Sequence, residues 1–189
     1  VDCILSGRDC LGVMPTGAGK SVCFQVPALM LSGTSIVISP LISLMRDQVN
    51  ALRENGISAA CINSSASDLE SRETFLRAVS GEVKILYVAP ERLETEGFRR
   101  ICERLEIPLV AVDEAHCVSH WGQDFRPSYL RITEFVKSLK KRPTIAAFTA
   151  TATDIVKNDI VNILGLQNPL VLTTGFDRPN LYFEVKNPS

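Results

Sequence analysis

Short stretches of this chain are apolar at every position, and they recur at intervals too wide for hairpins. Ile36-Val37-Ile38 and Leu109-Val110-Ala111-Val112 are the plainest cases. A strand with one wet face alternates apolar and polar residues. A strand buried on both faces does not, and such burial marks a parallel sheet covered by helices. Runs of this kind predict strands over 9–14, 35–39, 58–62, 83–88, 109–112, 144–148 and 170–173. Helical segments lie between them. Leu41, Met45, Val49 and Leu52 recur on one helix face up to Asn55-Gly56, a stop signal. Ser67-Asp68-Leu69-Glu70 reads as a capping box, and Val156, Ile160 and Ile163 share a face that ends at Gly165. Alternation of this kind builds βαβ units, hence an α/β fold whose ligands bind beyond the carboxyl ends of the strands.

Composition narrows the functional classes. The chain has 189 residues, 46% of them hydrophobic, with 20 Lys and Arg against 21 Asp and Glu for a net charge of -1. That apolar content excludes a disordered tail, and the length suits one core. Near-neutrality argues against coating nucleic acid with the whole surface, so any polyanion must be gripped locally. No apolar run approaches the roughly 20 residues of a membrane span, and nothing at Val1 reads as a signal peptide. The 6 cysteines are irregularly spaced without a C-x-x-C pair. This favours free thiols in a reducing, intracellular compartment, cytoplasmic or nuclear.

Met14-Pro15-Thr16-Gly17-Ala18-Gly19-Lys20-Ser21 follows a predicted strand and opens a predicted helix from Lys20 to about Leu31. A phosphate chain needs that arrangement. Small residues let backbone amides turn inward, and the helix N-terminus adds partial positive charge. Lys20 would reach the β- and γ-phosphates of ATP and the Ser21 hydroxyl would ligate Mg²⁺. The strict pattern has glycine where Met14 stands, so the alternative is a glycine-rich turn with an exposed lysine; the strand-loop-helix context favours phosphate binding.

Asp113-Glu114-Ala115-His116 ends the apolar run 109–112 and delivers two carboxylates where such a sheet presents ligands. In phosphoryl transfer Asp113 would hold Mg²⁺ and Glu114 would position or deprotonate the attacking water. His116, Cys117 and His120 invite a zinc reading, but no second cluster completes a ligand set, and zinc is not expected here. His116 is expected beside the nucleotide instead.

The segment Cys117-Val118-Ser119-His120-Trp121-Gly122-Gln123-Asp124-Phe125-Arg126-Pro127 carries the only tryptophan and is too irregular for a strand. On chemistry alone two readings stand level: Trp121 and Phe125 stacking on bases while Arg126 meets a phosphate, or a satellite hydrophobic cluster over the sheet end. Thr149 and Thr151 in Thr149-Ala150-Thr151-Ala152-Thr153 could bridge the nucleotide site to a neighbouring surface, with Thr153 capping a helix near Asp154. Ser39-Pro40 sits at a strand end on the same side.

In this order the motifs resemble the first RecA-like lobe of RecQ-family DNA helicases, within superfamily 2. Pro15 to Ser21 resembles motif I, and the superfamily tolerates a non-glycine at Met14. Ser39-Pro40-Leu41-Ile42-Ser43-Leu44-Met45-Arg46-Asp47-Gln48 resembles motif Ia, Asp113 to His116 motif II, and Phe148 to Thr153 motif III. Ser119 to Pro127 resembles the aromatic-rich loop peculiar to that family. Gln123 stands where family members often carry histidine.

The resemblance implies a P-loop NTPase fold of three layers, with a mostly parallel sheet of about seven strands. It implies a lobe over 1–175 and, from 176 to 189, the start of a crossover into a second RecA-like lobe. It implies ATP and Mg²⁺ as cofactors, with Asp113, Glu114, Lys20 and His116 in catalysis. It further implies single-stranded and duplex DNA as partners, met by Trp121, Gln123, Phe125, Arg126, Thr149, Thr151, Ser39 and Pro40. The whole enzyme would translocate 3′ to 5′ and unwind duplexes, while a lone lobe, lacking the second lobe's arginine finger, would do little. An RNA helicase lobe, a nucleotide-gated binding module and a small-molecule P-loop kinase are the competing readings. The aromatic-rich loop disfavours the first, and the lack of an obvious basic lid disfavours the last.

Overall fold

The computed structural model describes residues 1–63, 68–175 and 184. Each of the seven predicted runs forms a strand: β1 (Cys10–Val13), β2 (Ser35–Ile38), β3 (Ala59–Ile62), β4 (Ile85–Val88), β5 (Leu109–Val112), β6 (Thr144–Thr149) and β7 (Leu170–Thr173). They lie in one sheet ordered β3-β4-β2-β5-β6-β1-β7, and every pairing is parallel. Parallel pairing needs a crossover between consecutive strands, which explains the wide spacing of the apolar runs. The helices are α1 (Asp2–Leu5), α2 (Lys20–Met30), α3 (Ile42–Glu54), α4 (Asp68–Val79), α5 (Glu96–Cys102), α6 (Arg131–Ser138) and α7 (Asp154–Ile163). Single 3-10 turns occupy Pro90–Glu94, Ala115–Val118 and Pro127–Leu130.

The period-2 geometry of a strand splits the core in two. Ile36 and Ile38 of β2 pack on one face with Phe98 of α5, Phe135 of α6 and Ile160 of α7. Val37 points to the other face, among Phe24 of α2, Met45 of α3 and Phe148 of β6. Helices therefore cover both faces, as wholly apolar strands require. The second face carries a tilted Phe24–Phe148 pair 5.6 Å apart, and the first a Phe98–Phe135 pair 5.5 Å apart. Each such ring buried contributes roughly 1.5–3 kcal/mol of transfer free energy.

Sequence punctuation holds where it is described. α3 ends at Glu54 with Ile57 N donating to Leu52 O and Gly56 N to Arg53 O, the paired bonds of a left-handed stop. Thr153 caps α7 by accepting from Val156 N. The predicted capping serine, Ser67, and the predicted crossover, apart from Glu184, lie outside the described residues.

Three details differ from expectation. Leu41 does not join the buried stripe of Met45, Val49 and Leu52; it stands at the N-cap of α3, 43% exposed, because the helix starts only at Ile42. Among the described residues β7 is an edge strand with its side chains largely exposed, since β1 alone there pairs with it. Asp9 precedes β1 instead of opening it, and its buried carboxylate accepts from Ile145 N (2.9 Å), Gln167 N (2.7 Å) and Arg142 Nη2 (2.6 Å). No helix among the described residues is long and apolar enough to cross a membrane, and the cysteines are free thiols.

Candidate functional site

Four loops leave the carboxyl ends of neighbouring strands: 14–19 after β1, Ser39-Pro40 after β2, 113–116 after β5 and 150–153 after β6. β6 separates β1 from β5, and the chain leaves β1 toward the β3 end of the sheet but leaves β5 and β6 toward the β7 end. Open parallel sheets form their ligand crevice at such a reversal.

The first loop curls over the start of α2. Gly17 (φ 85°) and Gly19 (φ 83°) adopt left-handed backbone that a side chain would disfavour, with Gly19 as the α2 N-cap. Ala18 N donates to Pro15 O, and Thr16, Gly17, Ala18 and Gly19 are exposed. Met14 N donates to Thr149 O, which ties this loop to β6. The Met14 thioether lies 4.0 Å from Cys23 Sγ, on the side of α2. Lys20 Nζ donates to Met14 O at 3.0 Å, and Ser21 follows it in the first helical turn.

The acidic pair is held from several directions. Asp113 N donates to Ile38 O, Asp113 Oδ1 accepts from Glu114 N at 3.0 Å, and Asp113 O accepts from the buried Tyr129 hydroxyl at 2.9 Å. Ser39, itself buried, directs its hydroxyl to Asp113 Oδ2 at 3.5 Å. Burial, reinforced by the charge of Glu114, pushes the Asp113 carboxyl up to about 6, although the Glu114 amide, Lys20 and Ser39 pull the other way. Burial likewise raises Glu114, which Lys20 lowers and Asp124 raises. The positive charge of Lys20 thus favours the ionised form of both acids.

His116 Nδ1 lies 2.8 Å from Thr149 Oγ1 and 3.3 Å from Glu114 Oε2. The Thr149 hydroxyl donates to Thr151 O at 3.1 Å, so its oxygen accepts from an Nδ1–H. That fixes the tautomer and joins the Asp-Glu-Ala-His turn to the segment after β6. Burial lowers the His116 pKa from its ordinary value. Cys117 is buried with its thiol pushed up to about 12, mainly by that burial, and the His120 ring stacks on Phe125 with centroids 3.7 Å apart. Cys117 Sγ lies 3.9 Å from His116 Nε2, but among the described residues no three His, Cys, Asp or Glu gather to hold a metal ion. Ser21 and Asp113 supply the hard oxygen donors that suit Mg²⁺.

The aromatic-rich segment folds back on this turn. Gly122 lies so near His116 O that a Cβ there would come within 2.3 Å, a contact only glycine permits. Arg126 N donates to Cys117 O; its Nε and Nη2 both donate to Asp124 Oδ2 (2.9 and 2.8 Å), and its Nη1 reaches Pro40 O at 3.4 Å. Trp121 is 77% exposed, and Gln123 and Thr151 are exposed too. With His116 these residues line a cavity of about 320 Å³ beside the start of α7. Two contributors escaped the sequence reading. Asp159 of α7 accepts from the wholly buried Ser119 hydroxyl at 2.6 Å, and Ser119 Oγ in turn accepts from Trp121 N at 3.1 Å. Tyr129 is the other, and nothing in its local sequence separates it from a core residue.

A DEAD/DEAH box helicase profile matches residues 1–158. ATP-dependent DNA helicase RecQ of Bacillus subtilis (strain 168) is 53% identical over 173 residues, 92% of this chain and 29% of that protein. ATP-dependent helicase SGS1 of Saccharomyces cerevisiae is 43% identical over 194 residues, 98% of this chain and 13% of that protein. The chain thus spans less than a third of either relative. The Pyrococcus furiosus Hef helicase domain superposes with a TM-score of 0.67 at 20% identity, over 89% of this chain and 36% of that one, which speaks for the fold alone. Because the profile covers all strands through β6 and both charged turns beside it, the chain belongs to the DEAD/DEAH box helicase family.

Proposed function

We propose that this chain is the ATP-binding motor lobe of a RecQ-type DNA helicase. In the whole enzyme it would couple Mg·ATP hydrolysis to 3′–5′ movement along single-stranded DNA and to duplex unwinding. The observation that carries this reading is the meeting of Lys20, the Asp113–Glu114 pair and Thr149 at the ends of three adjacent strands, β1, β5 and β6.

The loop 15–19 offers backbone amides and the α2 N-terminus to the phosphates, and Lys20 exchanges Met14 O for phosphate oxygens. Ser21 and Asp113 would hold Mg²⁺, which would supply positive charge beside the phosphates when bound. Glu114, raised by burial, accepts a proton from the attacking water or orients it. His116, committed through Nδ1–H to Thr149, carries the nucleotide state to Thr151 and the exposed surface. DNA meets Trp121 and Phe125 by stacking and Arg126 by charge, and Gln123 contributes a neutral hydrogen-bonding group. Arg126 already touches Pro40 O, so movement at the loop reaches Ser39 and, through its hydroxyl, Asp113.

Glu114→Gln in a version that includes the second lobe should retain ATP binding and lose turnover by about 10²-fold or more; undiminished hydrolysis would overturn the assignment. Comparing stimulation by single-stranded DNA with that by RNA of the same length distinguishes the DNA reading from an RNA helicase. The chain alone should hydrolyse ATP feebly, since an arginine finger contributes roughly 10³-fold or more in related phosphoryl transfers.

A further inference from the structure

An apolar groove of about 430 Å³ lies between α4 and α5, at the β3 end of the sheet. β4 and β2 separate it from the acidic pair after β5. Ile62 and the rings of Phe75 and Phe98, 6.3 Å apart, line it. Leu76 and Val79 stand at its edge, 66% and 42% exposed. Exposed aliphatic side chains beside an aromatic floor mark an interaction surface more often than an accident of packing.

Charge says what kind of partner fits. Every charged side chain lining the groove is an arginine, Arg72, Arg92 or Arg104, in a chain whose net charge is -1. Arg92 donates twice to Asn63 O, whereas Arg72 and Arg104 have no ion-pair or side-chain hydrogen-bond partner among the described residues. The groove also holds Ser71 Oγ, a buried hydroxyl without a partner among the described residues, on a residue only 7% exposed. A buried hydroxyl left unpaired costs free energy that an incoming acceptor recovers. Guanidinium groups recognise carboxylates with paired, directional bonds. A nucleic-acid strand would use the arginines, but Leu76 and Val79 offer no stacking, and Phe98, only 1% exposed, presents no open ring face to a base.

We infer that this groove docks an acidic, amphipathic peptide segment of a partner protein. Its apolar side chains rest on Phe75, Leu76 and Val79, its Asp or Glu residues pair with Arg72 and Arg104, and a carbonyl accepts from Ser71. The site is independent of the nucleotide-side loops and does not rest on the helicase reading.

The test is fluorescence anisotropy of this chain with a labelled peptide of about twelve residues in which Phe and Leu are interleaved with Asp and Glu. Saturable binding is expected, weakened about tenfold or more by Leu76→Glu and by Arg104→Glu. Both positions are exposed, so circular dichroism of the variants should match the parent. A peptide with Lys replacing each acid should not bind, and Lys20→Ala should bind the acidic peptide as the parent does. Equal binding of the Lys peptide, or unaltered binding by both groove variants, overturns the proposal. So does displacement of the peptide by a single-stranded oligonucleotide whose own binding is lost in Arg104→Glu, which would make the groove a nucleic-acid path. A concentration-dependent dimer abolished by Leu76→Glu would assign the groove to a second copy of this chain and overturn it equally.

Discussion

Glu114 holds a left-handed backbone, φ 47° and ψ 46°, at the point where β5 gives way to a 3-10 turn. That region costs a non-glycine residue about 1–3 kcal/mol, and such strain persists only where the surroundings impose it. Here Cys117 N closes on Glu114 O, and Glu114 N is held by Asp113 Oδ1. Asp113 is a second local cost. Burial lifts its carboxyl from an ordinary 3.8 to about 6, so the folded protein binds that proton more tightly than the unfolded chain does. Its contribution to stability is complete below about pH 4 and is lost as the pH rises through 6. Asp113→Asn removes the charge while keeping an oxygen for Glu114 N. In the metal- and nucleotide-free protein it should raise Tm at pH 8 by about 5 °C, on the order of 2 kcal/mol, with no gain at pH 4. Thermal scans at the two pH values check this, and an equal gain at both would refute the buried-charge account. Stability would be gained at the residue proposed to hold Mg²⁺.

Elements show which parts of the design can be read in a sequence. Strands buried on both faces announce themselves by unbroken apolar runs, and loops that bind phosphate by small residues between a strand and a helix; β1 to β7 and the turns at Lys20 and Asp113 were legible for those reasons. The 7-residue α5 was not, because it is too short to display a period. Leu41 fits the helical spacing, but spacing cannot say where the first turn begins. Asp159 lies 40 residues beyond Ser119 on a face that looks merely solvated, and only the packing of α7 against the aromatic-rich segment gives it a role. That role makes a prediction. Asp159→Ala leaves the buried Ser119 hydroxyl unpaired and should loosen the loop, whereas Asp159→Asn still offers an oxygen and should preserve it. Trp121, the only tryptophan, reports the outcome directly. Its fluorescence anisotropy should fall in the alanine variant and stay near the parent value in the asparagine variant; identical behaviour of the two would exclude the anchor.

For the molecule as a whole, the order of strands in space departs from their order in the chain, and this has a consequence for how the protein is made. Among the described strands β1 is made before the others, yet its partners β6 and β7 are made after them. The carboxylate of Asp9 likewise waits for Arg142, Ile145 and Gln167. A chain ended after Arg142 should therefore leave β1 without a neighbour and remain sensitive to protease throughout 1–30, while one ended after residue 175 should be protected; equal protection would show that β1 docks without its partners. At about 5–20 residues per second of synthesis, the loop 14–19 spends on the order of ten seconds outside the ribosome before the strand it hangs from has anything to pair with. For that interval the nascent chain displays an unpartnered apolar strand, the kind of surface from which incompletely folded chains aggregate and which chaperones cover.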